Sequence, residues 1–280
     1  MVTGACLCGS LRFEVEGPFK NLMHCHCSMC RKHHGAPFAT FVGAAASGFR
    51  WISGEDTIVA YASSASFKRP FCPTCFSVAP VRIGDDVYIP AGNLAGDLGD
   101  AGGMHMFVGS KAPWHTIADA LPQHDTVPPG WPLPSVDRPA PPVLESGVRG
   151  SCLCGDVTFE LEGLPARFML CHCSRCRRSR SAAHGGNAFY PLAQFAWLSG
   201  ESQVRNYRLP EAQRFAVAGC TRCGGSTPVV REGVPFVLVP VGILDGDPVA
   251  RPEAHIHVAS NASWYPFSDD ITKFPELPPG

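Results

Sequence analysis

The sequence lacks an excess of charge, a long apolar run and a secretory leader. Its 23 lysines and arginines balance 24 aspartates and glutamates, for a formal net charge of −1, so nucleic acid is not expected as a partner. No stretch approaches the roughly 20 apolar residues that cross a bilayer. The first residues show neither a basic region nor an apolar segment typical of a signal peptide. These absences predict a cytoplasmic protein that binds neither nucleic acid nor membrane.

Cysteine, by contrast, is plentiful, and its 14 residues form two sets of seven with nearly the same spacing. The second set follows the first at an offset of 146 residues for the first five cysteines and 148 for the last two. Self-similarity at a long fixed period marks repeated folding units, and a chain of 280 residues suits about two domains. The two sets are Cys6, Cys8, Cys25, Cys27, Cys30, Cys72 and Cys75, and Cys152, Cys154, Cys171, Cys173, Cys176, Cys220 and Cys223.

The segments between the cysteines predict the fold class and the domain boundaries. Short apolar runs with alternating polarity, bounded by Gly, Pro, Asp and Ser, indicate mainly β domains, each with one short helix following Cys30 or Cys176. Eight prolines between Pro122 and Pro142 exclude a regular helix or a central strand there. They favour an extended, fairly stiff connector, with a linker packed on both domains as the alternative. We predict a first domain over residues 1–121, a Pro-rich linker over 122–149 and a second domain over 150–280.

The cysteine pattern favours metal binding over disulfides. In a reducing compartment, clustered cysteines more often bind metal or do chemistry, and seven per repeat cannot all pair within the repeat. Each repeat offers a C-x-C, a C-x-C-x-x-C and a C-x-x-C cluster, and zinc is enclosed tetrahedrally by four thiolates. The outer two clusters together would make a closed four-thiolate site and leave three cysteines for an open one. A site that joins the first cluster to the middle one satisfies the same count.

The residues around the cysteines carry a more specific signal. The runs Gly4–Phe13, Cys25–Lys32 and Phe71–Cys75 resemble the glutathione-dependent formaldehyde-activating enzyme family. The resemblance covers both halves of the chain and spares the linker. The matching runs of the second half are Gly150–Phe159, Cys171–Arg178 and Cys220–Gly225.

The resemblance implies a fold and a set of metal sites. The fold would be mainly β, with two tandem small zinc-binding domains, each of several coiled, irregular β-sheets with little helix, similar to methionine-R-sulfoxide reductases. Each domain would hold one structural zinc and a second, trigonal zinc, so up to four Zn²⁺ per chain. The structural ligands would be Cys6, Cys8, Cys72 and Cys75, and Cys152, Cys154, Cys220 and Cys223. The ligands of the second zinc would be Cys25, Cys27 and Cys30, and Cys171, Cys173 and Cys176.

The resemblance also implies an activity, that of a carbon–sulfur lyase of the S-(hydroxymethyl)glutathione synthase type. A soft thiolate suits the open position of a three-thiolate zinc, so glutathione or another small thiol is the expected cosubstrate and a small aldehyde the expected partner. The six ligands of the open sites would then be the catalytic residues. Cationic side chains that follow these ligands are predicted contacts of the cosubstrate, with a solvated face as the alternative: Arg31, Lys32, Arg177 and Arg178.

Two functions from other classes stay open. In one, all zinc is structural and the protein is a non-catalytic thiol- or partner-binding module. In the other, the three-cysteine cluster serves as a redox or zinc sensor. The run after the open-site cysteines is longer and richer in arginine in the second half, and Phe76 stands where the second half has Gly224. This difference predicts that the two open sites differ in substrate, or that one is silent.

The histidines near the clusters are expected to support the sites rather than to bind metal. His26 and His172 alternate with ligand cysteines, so their side chains should point away from the metal and form hydrogen bonds. His105 and His255 lie on apparent strands, where we expect them to pack in the core or at an edge. A fourth ligand or an acid is the less favoured role for His33, His34 and His184.

Overall fold

The computed structural model describes residues 1–131 and 147–279; residues 132–146 of the predicted linker and Gly280 lie outside them. Strands dominate the described residues, which contain two short α-helices, α1 (Ser28–His34) and α2 (Ser174–Arg180). The predicted mainly β class is thereby confirmed. Neither helix in these ranges has the length and apolar content needed to cross a membrane.

Twenty-two strands are present in the described residues. Those of the first repeat are β1 (Val2–Ala5), β2 (Arg12–Val15), β3 (Leu22–Cys25), β4 (Ala39–Ala45), β5 (Phe49–Ser53), β6 (Val59–Ala62), β7 (Lys68–Phe71), β8 (Val81–Ile83), β9 (Asp86–Pro90), β10 (Leu94–Ala95), β11 (Gly103–Met106) and β12 (Gln123–His124). Those of the second repeat are β13 (Val148–Ser151), β14 (Thr158–Leu161), β15 (Arg167–Cys171), β16 (Gly185–Pro191), β17 (Phe195–Ser199), β18 (Val204–Arg208), β19 (Ala216–Cys220), β20 (Phe236–Pro240), β21 (Ala254–Ile256) and β22 (Thr272–Lys273).

Each repeat builds a large sheet, a smaller sheet and a hairpin. In the first repeat the large sheet has the order β12-β11-β3-β4-β9-β8, the smaller sheet β10-β1-β2-β5, and the hairpin is β6-β7. In the second repeat the large sheet, read in the opposite direction, has the order β20-β16-β15-β21-β22. The smaller sheet is β13-β14-β17 and the hairpin is β18-β19. The central strands of the two large sheets follow the same path, which is the structural counterpart of the cysteine repeat.

One face of the large sheet in the first repeat carries sulfur and aromatic side chains. Met23 lies opposite Phe41 on β4 and Met104 on β11, and Cys25 lies opposite Met106. Because side chains alternate across a strand, these five residues share one face, which we call the thiol face. The opposite face of the sheet packs on the hydrophobic core.

The helices start earlier than the sequence predicts. Each was expected to follow its cysteine, but α1 begins at Ser28 and contains Cys30. The reason is the N-cap: the Cys27 thiol accepts a hydrogen bond from the backbone N–H of Cys30, so the ligand loop itself starts the helix. Cys173 caps α2 in the same way.

The two repeats exchange core residues. Trp264 of the second repeat, 9% exposed, belongs to the hydrophobic cluster of the first repeat around Phe13 and Ile89. Trp114 of the first repeat, 2% exposed, belongs to the cluster of the second and lies with its ring centroid 5.5 Å from that of Phe168. Each core is therefore completed by the other repeat.

The contact between the repeats is reciprocal. Helix α1 packs against the 3₁₀ turn Val241–Ile243 of the second repeat, and α2 packs against the equivalent turn Ala91–Asn93 of the first. A Cβ atom on Gly92 would lie 2.3 Å from the backbone of Ala182, and the corresponding glycine of the other turn is equally crowded. Only glycine permits this approach of backbone to backbone. The same surface of each repeat thus meets the same surface of the other, as in a twofold dimer.

Candidate metal centres

The first four-cysteine group, which we call the first tetrad, joins the turn after β1 to the loop after β7. The Sγ atoms of Cys6, Cys8, Cys72 and Cys75 all lie within 4.8 Å of one another. Cys6 and Cys8 are 3.4 Å apart at Sγ, and Cys8 and Cys72 are 3.6 Å apart. A disulfide would need about 2.05 Å, whereas four sulfurs around zinc at about 2.3 Å lie about 3.8 Å apart. The donor set and its spacing therefore fit a four-coordinate zinc.

The second tetrad repeats this geometry. The Sγ–Sγ distance is 3.4 Å from Cys152 to Cys154 and 3.8 Å from Cys154 to Cys220, and Cys223 completes the group. The backbone N–H of Val157 donates to the sulfur of Cys152 at 3.4 Å. Such N–H···S bonds favour the thiolate form that a metal ligand must take.

The middle cysteines form two separate groups of three. The first triad is Cys25, Cys27 and Cys30, with all Sγ atoms within 4.8 Å and a Cys25–Cys27 distance of 3.6 Å. In each triad the second cysteine is half-buried and the other two are buried, so the second cysteine is the most accessible of the three. The second triad, with 3.5 Å between its first two sulfurs, is Cys171, Cys173 and Cys176.

Neither triad gains a fourth ligand from the described residues. The four potential metal-binding groups in residues 1–131 and 147–279 consist of cysteines alone. His34, considered as a ligand from the sequence, donates its Nδ1–H to the carbonyl of Arg180 at 2.8 Å instead. Because zinc prefers four ligands, the remaining position at a triad would fall to solvent or to a substrate.

A buried arginine serves the first triad. Arg69 on β7 is 7% exposed, and its Nη1 donates to the Sγ atom of Cys30 at 3.5 Å. Hydrogen bonds from Cys25 and Cys27 hold the pKa of Cys30 well below its usual range, and the Arg69 charge acts in the same direction. A guanidinium at this place offsets part of the negative charge that three thiolates bring together.

The second triad receives its arginine from another element. The position on β19 that corresponds to the β7 arginine is Val217, but Arg180 at the end of α2 is 4% exposed and lies near this triad. Burial lowers the pKa of Arg180 to about 10, while the charges of Cys176 and Cys171 oppose that shift. Its Nη1 donates to Ser226 Oγ at 3.1 Å, and its Nε finds no hydrogen-bond partner within the described residues.

The sequence interpretation missed both arginines. It favoured the cations that directly follow the ligand cysteines, because adjacency was the visible signal. The available signal for Arg69 was a cation three residues before Cys72, on the short strand Lys68–Phe71. Arg180 carried no comparable signal, since no arginine occupies its place in the first repeat.

The arginines that directly follow the triads donate hydrogen bonds to the backbone of the ligand loops. Arg31 donates its Nε–H to the carbonyl of His26 at 3.3 Å, and Arg177 donates equivalently to His172 at 3.3 Å. Both bonds hold the residue between two ligand cysteines. Contact of these arginines with a thiol cosubstrate stays a prediction.

The next cation in the first repeat lies at the contact between the repeats. Lys32 forms an ion pair with Asp245 at 2.5 Å and donates a hydrogen bond to Ser151, both in the second repeat. Arg178 is half-buried, and its carbonyl accepts a hydrogen bond from Ser77 Oγ at 2.8 Å. Their predicted contact with a cosubstrate is likewise untested.

A chain of hydrogen-bonded side chains runs behind each triad. The Nε2 atom of His26 lies 2.8 Å from Nδ1 of His105, whose Nε2 lies 3.0 Å from Asp119. Because a carboxylate only accepts, His105 donates from Nε2 and accepts at Nδ1 from His26. The same chain recurs in the second repeat, at 2.8 Å and 3.0 Å, between His172, His255 and Asp269.

These chains refine the sequence expectations. His26 does turn to a hydrogen bond, as expected for a residue between ligands. His105 and His255 are buried on strands, but the expectation of plain packing was incomplete, because both link a carboxylate to the triad backbone. Asp119 and Asp269 were missed. Their signal was the equal spacing of 14 residues from the histidine in both repeats.

An aromatic cluster between the repeats connects the two chains of hydrogen bonds that lie behind the triads. The ring of Phe38 lies 5.2 Å from that of His115 and 5.8 Å from that of His184, and His184 lies 5.4 Å from Tyr265. Members of this cluster also contact the histidines between the ligands of both triads. The two triads are thus linked through one aromatic cluster that lies between the repeats.

Replacing His184 by phenylalanine, the residue at the equivalent position 38, is expected to stabilise the protein in acid. Burial holds the pKa of His184 well below its usual value. Below about pH 6.5 the unfolded chain binds a proton there that the folded chain does not, so the free energy of unfolding falls as the pH falls. The phenylalanine variant has no such group. Its free energy of unfolding should therefore gain on that of the unmodified protein by about 1.4 kcal/mol for each pH unit well below pH 6.5.

Chemical unfolding of both proteins at pH 8, 6 and 5 measures this effect. Loss of metal in acid would be common to the two proteins and would cancel in their difference. A difference in stability that is the same at all three pH values would contradict the prediction.

Comparison with known proteins agrees with the cysteine pattern. A family model described as glutathione-dependent formaldehyde-activating enzyme matches residues 1–110 and 147–260, once in each repeat. Among solved structures, a crystal structure of a Rhodobacter sphaeroides protein is 27% identical, covering 34% of this chain and 89% of that one, at a TM-score of 0.27. At that TM-score the likeness carries no argument about the fold.

Proposed function

The chain belongs to the glutathione-dependent formaldehyde-activating enzyme family, and we propose that it is a zinc-dependent carbon–sulfur lyase acting on thiol–aldehyde adducts. Glutathione or another small thiol would be one substrate and an aldehyde the other. The observation that carries the proposal is the pair of three-cysteine groups, each with one half-buried cysteine and without a further ligand from the described residues. The reducing cytoplasm, where thiols persist, is the proposed location.

The proposed metal content is four zinc ions. The two tetrads would hold structural zinc, since four thiolates close the coordination sphere, and the two triads would hold the second zinc of each repeat. When bound at a triad, zinc supplies a Lewis acid that lowers the pKa of a substrate thiol from its usual value of about 8.5.

The side chains of the protein would prepare the triad for this role. Arg69 and Arg180 offset the charge of the clustered thiolates, so that a further anionic sulfur is tolerated. Arg31 and Arg177 hold the backbone between ligands. His26 and His172, which lie between ligands, are held by hydrogen bonds to His105 and His255. In each triad the half-buried second cysteine is the sulfur that a substrate would approach.

The proposed reaction balances without an oxidant or a reductant. The substrate sulfur attacks the aldehyde carbon and a carbon–sulfur bond forms, while the carbonyl π-bond breaks toward oxygen. The proton that left the thiol ends on that oxygen as a hydroxyl group. The reverse reaction releases thiol and aldehyde, which is the lyase direction.

Native mass spectrometry of the purified chain, with and without millimolar glutathione, tests the proposal. We expect four zinc ions per chain and glutathione bound at, or displacing zinc from, up to two sites. Two zinc ions that glutathione does not affect would refute the proposed activity and favour a non-catalytic binding module. Zinc released by sub-stoichiometric peroxide, without thiol binding, would instead favour a sensor.

A further inference from the structure

The thiol face of the first repeat places apolar side chains directly on the triad. Met23, Met104 and Met106 are buried in one cluster with Cys25 and Cys30. Methionine is flexible and polarisable, and adapts to partners of varied shape. The ligands of the first triad therefore lie in an apolar surround.

Four aromatic side chains form the border of this cluster. Phe41, Tyr88, Phe107 and Trp131 pack against it and are half-buried, as is Cys27. Trp131 comes from the region predicted as linker and lies well beyond the last strand of the first repeat. Large aromatic faces left partly open beside a reactive group are typical of a ligand-binding surface.

The second repeat offers an internal comparison, because strand register identifies the equivalent positions. Met23 faces Phe41 across β3 and β4, whereas Met169 faces Asn187 across β15 and β16. Asn187 directs its Nδ2 toward Cys176 Sγ at 3.8 Å. A polar amide thus stands where the first repeat has a phenyl ring.

One further position changes in the same direction. Phe107 and His257 both begin a 3₁₀ turn with a positive φ, of 56° and 57°. His257 pairs with Glu276 at 3.0 Å. Aromatic contact at the second triad is limited to Phe215 and Phe274 within the described residues. The border of the second triad is consequently more polar than that of the first.

We propose that the first triad acts on a substrate that carries an aromatic or similarly large apolar group, while the second triad takes smaller, polar substrates. This inference rests on the proposed function and names its substrate class. The apolar group packs against Phe41, Phe107 and Trp131 as the substrate sulfur approaches beside Cys27. Formaldehyde has no such group and leaves this surface unused. The bond changes are those of the adduct reaction above.

Single-triad proteins make the inference testable. Cys173→Ser retains the first triad and Cys27→Ser retains the second. Exchange rates by NMR are measured for three pairs: glutathione with formaldehyde, glutathione with benzaldehyde, and benzyl mercaptan with formaldehyde. The last two pairs show whether the aldehyde or the thiol carries the aromatic group. Native mass spectrometry with benzyl mercaptan or 2-mercaptoethanol provides a binding readout independent of turnover.

For each protein we compare the exchange rate of a pair that contains an aromatic group with the rate of glutathione and formaldehyde. For one of the two aromatic pairs, we expect this ratio to be about tenfold higher in the protein with the first triad than in the protein with the second. Trp131→Ala should remove most of this preference, and Phe107→Ala serves if that variant does not fold. Leu198→Ala, which shortens an exposed apolar side chain of the second repeat, is the control that should retain it.

The outcomes separate the two proposals. Uncatalysed exchange for all pairs, with no thiol bound, would overturn the proposed function. Catalysed exchange with equal preference in both single-triad proteins would overturn only this inference. Retention of the full preference in both the Trp131→Ala and the Phe107→Ala proteins would do so as well.

Discussion

Replacing Cys72 by serine is expected to unfold both repeats, not only the one that carries the substitution. Structural zinc contributes about 10–16 kcal/mol in small zinc domains, which matches or exceeds the 5–15 kcal/mol by which whole domains are stable. Serine oxygen replaces one of four soft ligands, so the first tetrad should lose its metal. Its buried cysteines would then lose the centre on which they pack.

The loss should spread because the repeats share their interiors. Tyr207 of the second repeat packs on the first tetrad, and Tyr61 of the first repeat packs on the second tetrad. Trp114 and Trp264 are likewise exchanged between the cores. Unfolding of one repeat therefore removes apolar contacts from the other, at a cost of about 25 cal/mol for each Å² of apolar surface that becomes exposed.

Hydrogen exchange, far-UV circular dichroism and zinc content measure the effect. The Cys72→Ser protein should lose protection in β15 and β16 as well as in β3 and β4. Cys27→Ser, which removes a ligand of a triad, is the matched control and should remain folded. Native protection in the second repeat of the Cys72→Ser protein would show that the repeats fold independently.

Replacing Cys27 and Cys173 together by serine is expected to reduce adduct exchange to the uncatalysed rate in a protein that remains folded. Serine is a good N-cap, so its hydroxyl can accept the bonds that the backbone N–H groups of Cys30 and Cys176 now donate to sulfur. It is a poor ligand for a soft metal site. Each triad would then have two thiolates, too few to retain zinc.

The measurements are zinc content, circular dichroism and NMR exchange between glutathione and formaldehyde. Zinc should fall from four to two per chain, with an unchanged spectrum. Ser174→Ala, at an exposed helix position beside a triad, is the control and should keep four. Catalysed exchange in the double variant with only two zinc ions bound would place the activity away from the triads.

Local spacing explains why each cluster of neighbouring cysteines could be predicted, whereas the combination of clusters into sites came from the family resemblance. C-x-C and C-x-x-C bring two sulfurs to one point through the geometry of a few neighbouring residues, whatever the rest of the fold does. The repeat of seven such residues carries the family and the doubled organisation, and the short apolar runs carry the mainly β class; all three were confirmed. The N-caps were within reach too, but helix starts were misplaced because a cysteine was not considered as a cap.

Only the tertiary structure decided how each site is completed. Arg69 lies 39 residues from Cys30, and His26 lies 79 residues from His105, separations at which no periodicity links the partners. The second triad draws its cation from α2 rather than from a strand, so even the internal repeat gave no guide. Trp131 joins the first triad from beyond the repeated pattern. Ligand spacing is a local property that the sequence alone determines. Charge compensation, hydrogen-bond chains and exchanged cores depend instead on which distant surfaces folding brings together.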